Sequence, residues 1–142
     1  MLQKLILACV CLLLLPSLAL ANALTIAPGA WGYDPDSPNR EAAEALGCGT
    51  DPLFISISQD GTRYRGHRDE NMAYHQADIL DSGEKYLVLR YDGEKRMMGE
   101  NETQIWTLLL VEDDMFVWIM GQPGDFRSGP SDPRYRCRDE MS

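Results

Sequence analysis

Arginines that alternate with apolar residues along the middle of the chain are the residues best suited to bind a ligand. Their spacing is typical of side chains on one face of a β-sheet, and such a face is ordinarily solvated. If the face lined a barrel interior, it would bind an anion or carboxylate, because a guanidinium presents a fork of donors. Two tryptophans on neighbouring predicted strands would line either the core or the mouth of a cavity. The candidate ligand-binding residues are therefore Arg63, Arg65, Arg90, Arg96, Trp106 and Trp118.

Residues that could catalyse a reaction or bind a metal are few. The two histidines, His67 and His75, lack a nucleophile and an orienting third group at a recognisable spacing. The run DPDSPN at 34–39 lacks the glycine and the distant glutamate of an EF-hand calcium loop. Methionines that would suit copper are better explained as core residues of strands; they are Met72, Met97, Met98, Met115 and Met120. The sequence predicts no enzyme, no catalytic residue, no metal and no cofactor.

Two cysteines, Cys48 and Cys137, lie beyond the apolar N-terminal stretch, and we expect them to form one disulfide. An even pair in an exported chain is most simply a bridge, because the compartment is oxidising. A zinc site needs three or four ligands at short spacings, and neither cysteine has a second cysteine or a histidine nearby. The bridge would close nearly the whole domain into one loop and remove roughly 4–5 kcal/mol of unfolded-state entropy.

The N-terminus has the pattern of a signal peptide. Lys4 precedes an apolar run over 5–15, and Ala19-Leu20-Ala21 supplies a cleavage site. The run is shorter than the roughly 20 residues that a spanning helix needs. We therefore expect a signal peptide over residues 1–21, a single β-rich domain over 22–142, no membrane span after cleavage, and a periplasmic or secreted protein.

The charge of the chain narrows its partners. A formal net charge of −9 argues against nucleic acid or an anionic membrane surface. It suits an exported protein that meets an unknown small ligand or a basic periplasmic protein.

One short helix is predicted before the strands. Ser37 and Pro38 form a favourable N-cap and first helical position, and Gly47 is expected to end the helix. The helix would span about 38–46 and lead into Cys48.

The rest of the domain alternates apolar and polar residues between turn signals. Asp60–Gly61 is a strong hairpin signal. Asp92–Gly93 is either another turn or a bulge in a longer strand that turns at Gly99, and matched strand lengths favour the bulge. Everything from 121 onward is expected to be a loop held by Cys137. The predicted strands span 53–59, 62–66, 72–80, 84–98, 103–112 and 115–120.

These elements predict a mainly β fold. The strands would form an antiparallel meander that curls into a small barrel, lipocalin-like, or into a sandwich. One short N-terminal helix and one disulfide would complete it.

Two family resemblances are present. GAW at 29–31 resembles the G-x-W motif of lipocalin-type barrels, whose tryptophan packs at the closed end beside a C-terminal arginine. The resemblance implies Arg134, Arg136 or Arg138 as that arginine. A broader resemblance is to a family of small, uncharacterised exported bacterial proteins, and it implies a β-rich periplasmic domain with no known reaction. It runs through an N-terminal tryptophan, CGTDPLFISISQDG, GEKR, IWTLLL, FVWIM and a terminal Arg-Cys.

We therefore expect an exported, non-enzymatic, barrel-like binding protein of unknown ligand. The alternative is an inhibitor or accessory protein of a cell-wall enzyme such as a lysozyme, steered to a basic target by its charge. A large internal cavity would favour the first function, and a protruding loop at 121–133 would favour the second. A histidine beside a buried carboxylate would favour an enzyme.

Overall fold

The computed structural model describes residues 21–37, 39–68, 75–93, 96–98 and 101–138, so the predicted signal peptide lies outside it apart from Ala21. The described residues form eleven strands. These are β1 (Gly29–Gly32), β2 (Leu53–Ile57), β3 (Arg63–His67), β4 (His75–Ser82), β5 (Tyr86–Tyr91), β6 (Arg96–Met98), β7 (Asn101–Thr103), β8 (Ile105–Glu112), β9 (Met115–Gln122), β10 (Asp125–Phe126) and β11 (Arg134–Arg136).

Eight of these strands close into an antiparallel barrel. The order is β1-β2-β3-β4-β5-β8-β9-β11, and β11 pairs back with β1. Strand β10 pairs with the end of β9, and β6 pairs with β7. The predicted mainly β meander is confirmed, and it is a closed barrel rather than a sandwich.

Alternate side chains of the strands fill the barrel interior. Burial of each large apolar side chain contributes about 1.5–3 kcal/mol, so this inward face stabilises the barrel. The largest fully buried side chains are Trp31, Tyr64, Phe116, Leu87, Leu89, Leu108 and Met120.

The prediction of one continuous strand over 84–98 is wrong. Strand β5 ends at Tyr91, and β6 is a separate strand that pairs with β7. Asp92 turns outward into a 2.5 Å ion pair with Arg63, and Gly93 has φ +76°. A side-chain ion pair and a left-handed backbone together break the strand where a single-residue bulge was expected. The expected turn at Gly99 lies outside the described residues.

The segment after residue 120 was predicted to be a loop, but it also contains strands. Strand β9 continues to Gln122, and β10 and β11 follow it. Strand β11 closes the barrel, because Trp31 of β1 lies opposite Arg136 and Phe116 of β9 lies opposite Arg134. Both β1 and β11 are short and poor in apolar residues, so tertiary pairing rather than local pattern makes them strands.

The helix also differs from its prediction. It begins at Arg40 after Asn39, whose side chain accepts from the amide of Ala42 at 2.9 Å. It runs through α2 (Arg40–Ala42), a π-helical turn (Ala43–Gly47) and α3 (Cys48–Thr50).

Gly47 continues the helix with φ −61° instead of ending it. A Cβ at Gly47 would lie 2.2 Å from the amide nitrogen of Tyr33. The glycine therefore permits close packing of the helix on the chain after β1, rather than capping the helix. Residue 38 lies outside the described residues.

The predicted disulfide is confirmed. Cys48 and Cys137 are bonded across 89 residues of sequence, with their Cα atoms 5.6 Å apart. The bridge joins α3 to the residue that follows β11.

The two ends of the barrel differ. A helix that was not predicted, α1 (Ala23–Ile26), covers the end where the β4–β5 turn lies, and the Ala23 amide donates to the Gly83 carbonyl at 3.1 Å. We call this the closed end. The opposite end, where the chain leaves β3 and β5 and enters β11, is the open end.

At the closed end a buried tryptophan is held by an arginine. The Trp31 indole donates to the Ala27 carbonyl at 2.9 Å, and the Arg136 guanidinium lies 4.3 Å from the indole centroid. Arg136 also donates to the carbonyls of Pro28, at 3.1 Å, and Ile26. Of the three arginines expected beside this tryptophan, Arg136 is the one that stacks on it.

Candidate functional site

A cavity of about 320 Å³ lies at the open end of the barrel. Its wall is made where β2 and β4 begin, where β3 and β5 end, and at Arg134, the first residue of β11. Small-molecule sites in proteins usually have volumes of about 300–1,000 Å³. The cavity therefore has room for a small molecule and not for a long lipid chain.

One wall of the cavity is aromatic. The ring of Tyr64 meets the rings of Tyr91 and Trp118 edge-on, with centroid distances of 6.1 and 6.3 Å. Burial raises the pKa of Tyr91 to about 12 and, together with Tyr91, raises the pKa of Tyr64 well above its usual 10. Both hydroxyls are therefore neutral at physiological pH and able to donate or accept hydrogen bonds.

Gly66 provides the space for this wall. It follows Tyr64 by two residues on β3, so the two residues face the same side of the strand. A Cβ at Gly66 would lie 2.5 Å from the Tyr64 hydroxyl oxygen. Only glycine leaves the tyrosine ring where it lies.

Among the described residues, the cavity lining carries an excess of positive charge. Three guanidinium groups, those of Arg68, Arg96 and Arg134, occur there with one carboxylate, that of Asp51. Asp51 accepts from Arg68 at 3.1 Å, and Arg96 lies 4.3 Å from the centroid of the Tyr91 ring. This local excess contrasts with the chain as a whole, whose net charge is −9.

Arg134 is the least satisfied of these cations. Its guanidinium lies 4.0 Å from the centroid of the Tyr33 ring, while Nε and Nη1 are buried without a hydrogen-bond partner among the described residues. Burial, reinforced by Arg68, lowers the pKa of Arg134 to about 10. The group is therefore still charged at neutral pH, and a buried charge without compensation is costly.

His75, the first residue of β4, lies on the rim of the same cavity. Burial lowers its pKa below the usual 6.5, and the charges of Arg96 and Arg68 lower it further. The imidazole is therefore neutral at physiological pH.

The structure brings two of the six predicted ligand-binding residues to this cavity, Arg96 and Trp118. Trp106 belongs to the core, 7% exposed, and its indole donates to the Thr103 carbonyl at 3.2 Å. Arg65 is exposed on the outside of β3, opposite Gln76 of β4.

The other two predicted arginines belong to what we call the outer arginine network: Arg63, Arg90, Asp78 and Asp92. Asp78 bridges both arginines, at 2.7 Å from Arg63 and 2.9 Å from Arg90. These contacts lower the pKa of Asp78, Arg90 acting most strongly, and Arg63 likewise lowers that of Asp92. In this network every cation has an anion, so it needs no ligand.

Sequence analysis missed Arg134 and Arg68 as cavity residues. The signal for Arg134 was the alternation of Arg134-Tyr135-Arg136. Taken as a strand, it would have placed both arginines on one face beside Trp31. Arg68 follows the end of β3 and carries no pattern of its own.

Metal and catalytic candidates have ordinary structural surroundings. No group of three or more histidine, cysteine or acidic residues suited to a metal lies within the described part of the chain. In the acidic run, Asp34 is buried and accepts from the Asp36 amide at 2.9 Å. Met120 is fully buried in the core, and His67 stacks on Phe54. Met72 lies outside the described residues.

Comparison of the chain with protein-family models, curated proteins and solved structures finds no match. Within the described ranges, no helix is both long and apolar enough to cross a membrane.

Proposed function

We propose that this chain is an exported, non-enzymatic binding protein that holds a small ligand in the cavity at the open end of its barrel. The observation that carries this proposal is a cavity of about 320 Å³ whose wall includes a charged arginine, Arg134, with two buried donors that have no partner among the described residues. Native proteins rarely leave buried donors without partners, so each such donor calls for an explanation. Ionisable groups whose pKa is strongly shifted cluster at functional sites.

Further features support export and a lipocalin-type barrel. The signal-like leader and the Cys48–Cys137 disulfide fit an oxidising compartment, periplasmic or extracellular. Closure of the barrel over Trp31 by α1 and Arg136 is what the G-x-W resemblance implies. The likeness to lipocalin-type barrels rests on these features and on fold-level analogy.

The alternative, an inhibitor of a basic cell-wall enzyme, has less support. A protruding loop at 121–133 would have favoured it. That segment instead lies along β9. The Ser128 and Ser131 hydroxyls each accept a hydrogen bond from a backbone amide of this strand, at 3.0 Å. The negative net charge remains compatible with a basic partner.

The test compares masses of the mature protein purified from an oxidising compartment. We expect the native mass spectrum to contain a bound small molecule that is lost on denaturation. The variant Gly66→Leu, whose side chain would enter the cavity, should lose that adduct, whereas Gly49→Leu should retain it because no atom lies within 4 Å of a Cβ there. A bare native mass, or an adduct kept by a folded Gly66→Leu protein, would contradict binding in this cavity.

A further inference from the structure

We infer that the ligand is a small planar carboxylate whose anionic group lies against Arg134 and whose ring packs on the aromatic wall. This inference rests on the proposed function and names the chemical class of the ligand. The open-end cavity is lined by both guanidinium groups and aromatic rings, and each kind of group selects one part of such a molecule.

The charge balance of the cavity selects an anion. Among the described lining residues the three guanidinium groups outnumber the single carboxylate of Asp51, which Arg68 already contacts at 3.1 Å. Nearby opposite charge is what makes a buried ion tolerable. Asp132 favours the charge of Arg134, but burial and Arg68 outweigh it, and a bound anion would offset that cost.

The unsatisfied donors of Arg134 select a charged acceptor. Its guanidinium carbon lies 4.0 Å from the centroid of the Tyr33 ring. Nε and Nη1 have no acceptor among the described residues. A carboxylate brings a negative charge and two acceptor oxygens to such a group, whereas a neutral amide brings one acceptor oxygen and no charge.

The aromatic lining selects the rest of the molecule. Tyr64, Tyr91 and Trp118 line the cavity with aromatic side chains that also carry hydroxyl and indole groups. An aromatic ring or another flat apolar group packs on such a wall, and the volume of about 320 Å³ limits it to a small molecule.

The test titrates the protein with benzoate and with its neutral counterpart benzamide at low ionic strength, following backbone amide resonances by NMR. We expect benzoate to shift resonances around Arg134, Tyr64 and Trp118 and to bind at least tenfold more tightly than benzamide. In Arg134→Met, the benzoate affinity should fall to that of benzamide, because the methionine retains packing on Tyr33 without the charge. Arg90→Met, in the outer arginine network, should bind both probes as the unchanged protein does.

Each outcome separates the two proposals. If benzamide shifts the same resonances with equal affinity, or if a folded Arg134→Met protein keeps the preference for benzoate, the carboxylate inference is wrong and the cavity remains a binding site. If neither probe shifts cavity resonances, the carboxylate inference is wrong, and binding of another small molecule in this cavity is decided by the native mass spectrum. The spectrum of each variant reports directly whether it is folded.

Discussion

Arg134 and Arg136 lie two residues apart on one strand, on the same face, yet their surroundings are opposite. Each stacks on an aromatic ring of the chain near β1, Arg136 on Trp31 and Arg134 on Tyr33. Arg136 also donates to two backbone carbonyls at the closed end. Arg134 has buried Nε and Nη1 atoms without an acceptor among the described residues.

We propose that the difference separates stability from ligand binding along a single strand. At the closed end the chain satisfies its own arginine, so that arginine contributes to folding. At the open end the same type of residue keeps two buried donors without a partner among the described residues, and the fold bears the cost of burying them. Cost without benefit to the fold is expected where a residue is kept for a ligand. The predictions below test this division.

The largest effect is expected at the closed end. Arg136→Met should lower the free energy of unfolding by about 3 kcal/mol. Two charge-assisted hydrogen bonds are lost, and the carbonyls of Pro28 and Ile26 lose their donor. Urea denaturation would measure this loss, provided that the dependence of the free energy of unfolding on urea concentration is the same in both proteins. Arg138→Met is the matched control. Arg138 is exposed and forms an ion pair with Glu44 at 3.5 Å, and because exposed ion pairs contribute little, the change in stability should be less than about 1 kcal/mol. Equal losses in the two variants would contradict a structural role for Arg136.

A smaller loss is expected at the aromatic wall of the open end. Gly66→Ala should lower the free energy of unfolding by about 1–3 kcal/mol, because the new methyl group overlaps the Tyr64 hydroxyl. Thermal denaturation would measure the change. Gly49→Ala is the control, and it should raise stability by about 0.5 kcal/mol because alanine replaces glycine in a helix without any contact. If both variants have equal stability, Gly66 is not needed for the position of Tyr64.

The fold could be predicted from sequence to the extent that it depends on local pattern. Period-two alternation over 53–59, 103–112 and 115–120 indicated strands, and turn residues indicated hairpins. The closure of the barrel was not predictable in the same way. It depends on β1 and β11, whose Gly-Ala-Trp-Gly and Arg-Tyr-Arg sequences are too short to show a period-two pattern, and which pair because the barrel brings them together.

The candidate site was only partly predictable because inward and outward positions differ by one residue. Arg90 and Tyr91 are neighbours on β5, yet Arg90 is exposed and Tyr91 lines the cavity. A shift of one residue in register reverses every such assignment. Arg96 reaches the cavity after the strand breaks at Asp92–Gly93, and alternation through an unbroken strand gave no basis for separating it from Arg90.

At the open end, loss of the charge should stabilise the protein. Arg134→Met should raise the free energy of unfolding by about 1 kcal/mol, because relief of the unpaired buried donors, about 1–3 kcal/mol, exceeds the lost stacking on Tyr33, about 0.5–1 kcal/mol. Arg134 has a pKa near 10 when folded, below its usual 12.5, so it burdens the folded state while charged. The advantage of the variant should therefore narrow as the pH rises through about 10.

Urea denaturation of the unchanged protein and of Arg134→Met from pH 7 to pH 11 would measure the stability gained by the variant. Arg90→Met, where an exposed ion pair with Asp78 is lost, should instead lower stability by less than about 1 kcal/mol. A loss of stability in Arg134→Met at neutral pH would mean that Arg134 is structural, as Arg136 is.

The smallest effect concerns the proton of His75 on the cavity rim. Its pKa should lie below the usual 6.5, chiefly because of burial and then because of Arg96 and Arg68. Within the part of the chain that the structure describes, the charged and titratable groups that share its cavity are Asp51, Arg68, Arg96, Arg134, Tyr64 and Tyr91. Since a protonated His75 would add to an existing positive excess, the folded state should lose stability as the pH falls below 6.5.

NMR titration of the His75 ring would measure this pKa directly. Arg96→Met should move it upward, toward 6.5, because one of the opposing charges is gone, and bound benzoate should move it in the same direction. Arg90→Met, which lies outside the cavity, should leave it unchanged. If the pKa of His75 is already at or above 6.5 in the free protein, the charges of the open end are balanced without a ligand. The contrast between Arg134 and Arg136 would then not separate ligand binding from folding.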